Sequence, residues 1–290
     1  MPDSVKERPW QVRSEKGSPL MKSSPSFWVT SVSGVTSDDI IIRGYPMQEL
    51  VGTVPFTAIA YLLVRGDLPT PGQARMMDVL CCSILDYGLQ KSGTLAARSI
   101  VSVNPRMSAG LSAAMLGAGE FAVSPEPTGR FIEESYAAFK ASGESIETFA
   151  AQYVDALRAA KKRVPGFGHP VFRGVDPRAE KLKTIAIEAG IWGEKNEWYE
   201  AVHRAFQKAA NKPDFVMNDV GMLAGIMAQM GFTPAEMEGL ALMSTMPGLI
   251  AHVSEEIQSG AINRLVAAEN TECQVEKRDL KADLAAAGWA

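Results

Sequence analysis

The stretch that decides the fold is formed by residues 164–179, which read VPGFGHPVFRGVDPRA. It contains three glycines, three prolines, two arginines and one histidine. Gly166 and Gly168 can adopt backbone angles that are closed to other residues, and each proline disfavours helix at the residue before it. The pattern predicts a rigid, shaped loop. Loops of this kind often carry binding or catalytic residues when a scaffold holds them.

The charged residues of this loop suggest a ligand site. His169 is followed by Arg173 and then by Arg178. A histidine titrates near neutral pH, and arginines are permanent cations that hold phosphate or carboxylate. A turn-rich linker with solvent-facing arginines is the alternative, and the loop alone favours neither interpretation.

Composition narrows the class of protein. The chain has 290 residues, 46% of them hydrophobic, and a net charge of −4. Nothing in this balance indicates a nucleic-acid surface or a polybasic membrane patch. Cys81 and Cys82 are adjacent and Cys273 is distant, so neither disulfides nor a metal site is expected. We therefore expect a cytoplasmic protein without a membrane-spanning segment.

The hydrophobic pattern predicts an all-α protein. Residues 1–26 are polar and rich in Pro and Ser, which favours a flexible arm. Residues 28–32 and 40–42 predict a short β-hairpin. Helical patterns follow, with an interruption expected at residues 246–248. The predicted helices cover residues 47–50, 56–64, 71–86, 92–103, 108–121, 129–142, 145–162, 179–189, 196–211, 218–230 and 249–259, with a further helix start at residues 233–236.

Several segments together resemble the citrate synthase superfamily, most closely its short citryl-CoA lyase branch. Residues 164–179 resemble the loop that carries an active-site histidine and two arginines. Residues 43–45 and 62–70 resemble the N-terminal signature. Residues 86–89, DYGL, resemble an Asp-His-Gly-Leu segment, and residues 248–256 resemble a C-terminal segment.

The resemblance implies a helical homodimer that handles coenzyme A (CoA) thioesters. It implies a large domain formed by residues 27–123 and 231–290. A smaller helical domain, residues 124–230, would close over the ligand. CoA is then expected as part of an acyl-CoA substrate or product, and no metal is expected.

Three positions of the central loop match the family pattern. His169 falls on the histidine that polarises a carbonyl group. Arg173 falls on an arginine that contacts the CoA phosphates, and we assign Gly166 and Gly168 of the same loop to CoA binding as well. Arg178 falls on an arginine that binds a substrate carboxylate.

Other positions depart from that pattern. The keto-acid histidine is replaced by Tyr87, and the acid–base histidine by Ala122. The second carboxylate arginine is replaced by Met246. The catalytic aspartate corresponds to Asp219 with a one-residue offset, since a gapless match gives Val220; Asp214 is a weaker candidate.

These departures predict an altered substrate. Each lost charge-assisted hydrogen bond is worth about 1.5–3 kcal/mol, so a small dianionic keto acid would be held poorly. We expect a carbon–carbon bond lyase or synthase acting on an acyl-CoA whose acyl part is larger or less anionic than citrate. Asp219 is the expected base, and His169 or Tyr87 the donor to the carbonyl oxygen. Ala122 and Met246 are expected to line the acyl site.

Three other functions remain open at this stage. One is ordinary citryl-CoA lyase activity through a rearranged site, of which we expect little. With water as the acceptor, the same site would hydrolyse a β-oxoacyl-CoA. Without the acid–base histidine, the protein would instead be an inactive homologue that binds acyl-CoA. Among the remaining histidines, His252 is expected to be structural and His203 to lie on the surface.

Overall fold

The computed structural model describes residues 29–119, 122–169 and 171–289. The predicted flexible arm, residues 1–26, lies outside these ranges. A small antiparallel sheet opens the described part, with β1 (Ser33–Val35), β2 (Ile40–Ile42) and β3 (Tyr45–Pro46) in sequential order. The first strand was wrongly predicted at residues 28–32. Residues 29–32 are irregular, and the segment assigned to the turn pairs instead, with Ser33 opposite Ile42.

Helices make up almost all of the remaining regular structure, which confirms the predicted all-α class. Short 3₁₀ turns cover Gly88–Gln90 and Ala268–Asn270. The helices are α1 (Met47–Leu50), α2 (Phe56–Arg65), α3 (Pro71–Ser83), α4 (Ser92–Val103), α5 (Met107–Leu116), α6 (Glu126–Ser142), α7 (Ile146–Ala159), α8 (Pro177–Glu188), α9 (Glu194–Ala210), α10 (Asp219–Gln229), α11 (Pro234–Ser259) and α12 (Leu280–Ala286).

Helix α11 runs without a break through Pro247, so the interruption expected at residues 246–248 is wrong. A proline inside a helix costs about 3 kcal/mol. Here the helix continues because Leu249 and Val253 on its C-terminal half are buried against α4 and α5. Gly248 on the same helix allows a close contact with another segment, since a Cβ there would lie 2.7 Å from Asp86 Cβ. The glycine lets the segment before Tyr87 pack directly on the helix.

The largest hydrophobic cluster surrounds α10, which is buried along nearly its whole length. Small residues on this helix allow close approach of the central loop. A Cβ on Gly221 would lie 3.0 Å from Gly166 Cα. Helices α6, α8 and α9 pack around α10. The N-terminal end of α10 is thereby held firmly against the loop that carries His169.

The described residues contain neither a membrane-spanning helix nor a cluster of metal-ligating side chains. Among the helices of residues 29–119, 122–169 and 171–289, none is long and apolar enough to cross a membrane. Within the same ranges, no group of three or more His, Cys, Asp or Glu side chains is placed to hold a metal ion.

Candidate active site

The loop between α7 and α8 lies on the strand-like segment that leads into α10. Gly168 N donates to the carbonyl oxygen of Val216 at 2.7 Å, and Asn218 N donates to that of Gly166 at 3.0 Å. Both glycines have positive φ angles, +78° at Gly166 and +89° at Gly168. A Cβ on Gly168 would lie 2.9 Å from the ring of Phe215. Glycine is therefore required at both positions by conformation and by space.

His169 is oriented by the backbone that follows it. Its Nδ1 accepts hydrogen bonds from the backbone N–H groups of Val171 and Phe172, each at 3.1 Å. Because Nδ1 is an acceptor, the neutral ring carries its proton on Nε2. The imidazole also packs on Phe172, with ring centroids 4.6 Å apart. His169 is thus held with Nε2–H as its remaining hydrogen-bond donor.

A cleft of about 460 Å³ opens beside this histidine. Arg173 folds back over the loop, and its guanidinium donates to the carbonyl oxygens of His169 (2.6 Å) and Phe172 (2.8 Å). Lys212 supplies a second cation on the cleft wall. The lining residues are His169, Phe172, Arg173, Asn211, Lys212, Pro213, Asp214, Phe215 and Val216. The cleft therefore combines two cations and one carboxylate, that of Asp214, with apolar surface.

Arg178 joins the loop to the start of α10. Its guanidinium contacts both carboxylate oxygens of Asp176, at 3.1 and 2.7 Å, and Asp219 Oδ2 at 2.7 Å. Burial alone would raise the pKa of Asp176, but hydrogen bonds from Arg178 outweigh burial and hold that pKa below its usual range. The predicted carboxylate-binding arginine therefore already faces two carboxylates of the protein itself.

Tyr87 completes this cluster from a distant part of the sequence. Its hydroxyl donates a hydrogen bond to Asp219 Oδ2 at 3.1 Å. Burial, followed by the negative charge of Asp219, raises the pKa of the Tyr87 phenol well above its ordinary value. Tyr87 is consequently a protonated donor at any physiological pH. The structure thus brings together three sequence-predicted residues, Tyr87, Arg178 and Asp219.

Asp219 occupies the first position of α10, where a negative charge is favoured by the helix dipole. Asn218 caps the helix by accepting from Gly221 N, and its Nδ2 donates to the carbonyl oxygen of Gly168 at 2.9 Å. The same side chain therefore places Asp219 and positions the loop before His169. Val220, the gapless alternative, lines a small cavity beside Tyr87 but carries no acid–base group.

Two small cavities lie next to Tyr87. Ala122 and Met246, where the resemblance implies a histidine and an arginine, line neither of them. Ala122 forms a tight turn with Gly119, and its neighbour Val123 lines both cavities. On α11, Leu242 and Thr245 line one of them, whereas Met246 is half-buried between the lining positions. The assignment of Ala122 and Met246 to the acyl site stays a prediction.

Three residues of the site were missed or misplaced by the sequence analysis. Asp176 was not identified, although an Asp directly before a Pro-initiated helix is a capping signal. Lys91 was also missed; its Nζ lies 4.1 Å from the Tyr87 ring centroid. The prediction of His203 on the surface is wrong. Its Nε2 lies 2.7 Å from the Phe215 carbonyl oxygen, and its ring packs against Phe167 under the loop.

His252 lies on α11 beside the segment that precedes Tyr87. Its Nε2 is 3.2 Å from Asp86 Oδ2. Burial would raise the pKa of Asp86, but the Gly88 backbone N–H and His252 lower it overall. The contact joins α11 to the residue next to Tyr87, in keeping with a structural role.

Comparison with known proteins places this arrangement in a family. The sequence profile described as "Citrate synthase, C-terminal domain" matches residues 70–266. The structure of citryl-CoA lyase from Hydrogenobacter thermophilus is similar, with a TM-score of 0.81 and 30% identity. The match covers 90% of this chain and 100% of that one.

More distant relatives share the fold. The structure of ATP citrate lyase from Methanothrix soehngenii, in complex with citrate and coenzyme A, has a TM-score of 0.71 at 17% identity. That match covers 88% of this chain and 43% of that one. A citrate synthase from Dictyostelium discoideum is 27% identical over 226 residues, which are 74% of this chain and 42% of that protein.

The chain spans less than half the length of the curated citrate synthases and 2-methylcitrate synthases that it matches. The profile nevertheless covers most of the chain, and the lyase structure is matched over its full length. The loop that carries His169, residues 164–179, lies within the matched range. The chain belongs to the citrate synthase family.

Proposed function

We propose that the protein cleaves or forms a carbon–carbon bond in an acyl-CoA. The observation that carries the proposal is the contact of Asp219 with Tyr87 and Arg178 next to the His169 loop. Enolising a thioester requires a base near the α-carbon and a donor at the carbonyl oxygen. The cluster offers a carboxylate for the first task, and the neighbouring loop offers the His169 imidazole for the second.

Asp219 is the proposed base. In the cleavage direction, its carboxylate takes the proton of a β-hydroxyl group while the carbon–carbon bond breaks. The electron pair of that bond passes to the thioester carbonyl oxygen, which leaves a carbonyl product and an enolate, and the α-carbon of the enolate then takes the proton from Asp219. In the condensation direction, the same carboxylate takes the proton from the α-carbon. Arg178 balances the charge of Asp219 and keeps the carboxylate in one orientation.

His169 is the proposed donor to the thioester oxygen. Its Nδ1 is occupied by two backbone N–H groups, which leaves Nε2–H to donate. Tyr87 was the other candidate, but its hydroxyl already donates a hydrogen bond to Asp219. We therefore assign Tyr87 to the orientation of the base and His169 to the polarisation of the carbonyl group.

CoA is the proposed carrier of the substrate. The cleft beside His169 has about the volume of a small-molecule site, and Arg173 and Lys212 provide charge for phosphates. Gly168 supports the same wall through its backbone contact with Val216. The Methanothrix soehngenii structure was solved with citrate and coenzyme A, which fits a CoA site on this fold.

The acyl part is proposed to be larger or less anionic than citrate. The resemblance implies two histidines and an arginine at positions that are Tyr87, Ala122 and Met246 in this chain. Arg178 is engaged with Asp176 and Asp219. A dianionic keto acid would therefore meet too few free cations to offset its desolvation.

The second candidate is an inactive homologue that binds acyl-CoA. Ala122 favours it, because a methyl group stands where the family resemblance implies an acid–base histidine. Calorimetry with CoA, followed by turnover assays with a panel of thioesters, separates the two functions. Binding without turnover of any thioester would support the inactive homologue.

The assignment of the base is tested with Asp219→Asn, which keeps shape and removes charge. We expect a loss of turnover of about 100-fold or more with CoA affinity retained. The matched control is Asp155→Asn on the exposed face of α7, which should have full activity. Full activity of Asp219→Asn would rule out Asp219 as the base. Full activity of His169→Gln would rule out His169 as the donor to the carbonyl oxygen.

A homodimer is proposed as the working form. Leu95 and Val103 on α4 and Leu116 on α5 are large apolar side chains, exposed by 57%, 61% and 87%. Exposed apolar groups in such number on neighbouring helices are typical of a protein interface. Light scattering after gel filtration tests this proposal. The division into domains at residues 124 and 230 and the cytoplasmic location stay predictions.

A further inference from the structure

Lys91 lies beside the Tyr87–Asp219 pair and has no role in the mechanism above. It follows the 3₁₀ turn Gly88–Gln90 and directly precedes α4. Its ammonium group sits over the ring of Tyr87, with Nζ 4.1 Å from the ring centroid. Lys91 also lines both small cavities that flank Tyr87, which have volumes of about 30 and 20 Å³. Each has room for one water molecule or one carboxylate group, not for a whole acyl chain.

The other cation of the cluster is already compensated. Arg178 makes two contacts with Asp176 and one with Asp219. Two carboxylates face a single guanidinium there. A carboxylate of the substrate that approached Arg178 would therefore meet negative charge as well as positive charge. Recognition of an anionic acyl group needs a different cation.

Lys91 meets that requirement. Within residues 29–119, 122–169 and 171–289, its Nζ makes no hydrogen bond or ion pair with another residue. The side chain is half-buried. Burial lowers the pKa of the Lys91 ammonium, and the charge of Asp219 offsets this effect only in part. A partly desolvated cation without a direct partner is stabilised when an anion occupies the adjacent cavity.

We propose that Lys91 is the specificity-determining residue of the acyl site, where it binds one carboxylate at the end of the acyl chain. The inference rests on the proposed function, since it requires that the site by Tyr87 and Asp219 receives a CoA thioester. It narrows the substrate class to acyl-CoA molecules whose acyl part carries a single negative charge. The resemblance implies several cations at this site, and Lys91 supplies one ammonium group. Its charge can neutralise one carboxylate rather than two.

The test compares two thioesters of equal chain length. Succinyl-CoA carries a terminal carboxylate, and butyryl-CoA ends in a methyl group. Affinities of both are measured by calorimetry for the wild-type protein, for Lys91→Met, which removes the charge at similar length, and for Lys91→Arg, which keeps the charge. The ratio of the two affinities is the readout. A purely structural contact of Lys91 with the Tyr87 ring would affect both thioesters alike and leave that ratio unchanged.

We expect the wild-type protein to bind succinyl-CoA more tightly than butyryl-CoA. In Lys91→Met this preference should fall by about tenfold or more, which corresponds to about 1.4 kcal/mol. Butyryl-CoA should bind the variant within about twofold of the wild type, and Lys91→Arg should keep most of the preference.

Two results overturn the inference while the proposed function stands. One is a wild-type protein that binds both thioesters equally well. The other is a preference for succinyl-CoA that survives in Lys91→Met. A wild-type protein that binds neither thioester nor free CoA would overturn the proposed function and this inference together.

Discussion

The hydroxyl of Tyr87 donates a hydrogen bond to Asp219 Oδ2 at 3.1 Å, across 132 positions of sequence. Tyr87 follows α3, whereas Asp219 begins α10, so the contact joins two separate parts of the fold. The same carboxylate oxygen is 2.7 Å from Arg178 Nη1. Asp219 is thus held from two sides, and both contacts are made through the same oxygen of its carboxylate.

Replacing Tyr87 by Phe tests this orientation. We expect the free energy of unfolding to fall by about 1 kcal/mol, because a part-buried carboxylate loses one donor. Turnover should fall by about tenfold, since the base is less well oriented towards the substrate. Chemical denaturation and steady-state rates measure the two effects. Tyr45→Phe, at an exposed tyrosine of the small sheet, is the matched control and should change neither quantity.

The sequence was most informative where a motif fixes the local structure. The conformation observed for the loop at 164–179 requires glycine at positions 166 and 168, because both have positive φ angles and lie close to neighbouring atoms. His169 and Arg178 could be identified from that loop together with its family resemblance. Asp219 could be identified only with an offset, because one position of sequence moves a side chain by about 100° around a helix.

What could not be predicted depends on pairs of residues that are distant in sequence. Nothing local indicates that Arg178 is engaged by Asp219, or that Lys91 lies over the ring of Tyr87. The same reason explains the error at Pro247. Its local signal ends a helix, but burial of Leu249 and Val253 against α4 and α5 outweighs that signal.

Close packing between the loop and α10 leads to a prediction for Gly166→Ala. A Cβ there would lie 2.7 Å from Gly221 Cα and would also clash with the Tyr199 hydroxyl, at a φ of +78°. We expect a loss of about 3 kcal/mol in the free energy of unfolding, because the clash adds to backbone strain. Gly174→Ala is the control on the same loop. Its φ is +73°, but no atom lies within 4 Å of the added Cβ.

That control should cost only about 1 kcal/mol, the usual cost of a left-handed conformation in a non-glycine residue. Urea denaturation of both variants gives the two values. Equal losses for Gly166→Ala and Gly174→Ala would mean that contact between the loop and α10 contributes nothing beyond backbone conformation.

The pair of buried Asp176 and partly exposed Arg178 gives a further prediction. Asp176→Asn removes a charge that faces the guanidinium at 2.7 Å and keeps the cap of α8, because Asn caps a helix as well as Asp does. The loss in the free energy of unfolding should be about 1–2 kcal/mol, because Arg178 is partly exposed and keeps Asp219 as a partner. Turnover should also fall, since Arg178 is then free to pull Asp219 away from the substrate. Denaturation and rate measurements on Asp176→Asn and Asp155→Asn check both effects.

The last prediction concerns pH and His203. Burial lowers the pKa of His203 below its ordinary 6.5. The hydrogen bond to the Phe215 carbonyl and the charge of Glu200 raise the pKa again, but only in part. The charge of Arg204 lowers the pKa further. The unfolded chain therefore takes up a proton at a higher pH than the folded protein does. Stability is fully present above the ordinary pKa of histidine and decreases as the pH falls below it.

We expect the free energy of unfolding to decrease between about pH 7 and pH 5, before most carboxylates titrate. His203→Gln keeps a donor for the Phe215 carbonyl but cannot be protonated, so its stability should change less over the same interval. His252→Gln is the control, because its ring lies near the Asp86 carboxylate instead of under the loop. A His203→Gln protein with the pH dependence of the wild type would show that this buried imidazole does not cause the acid sensitivity.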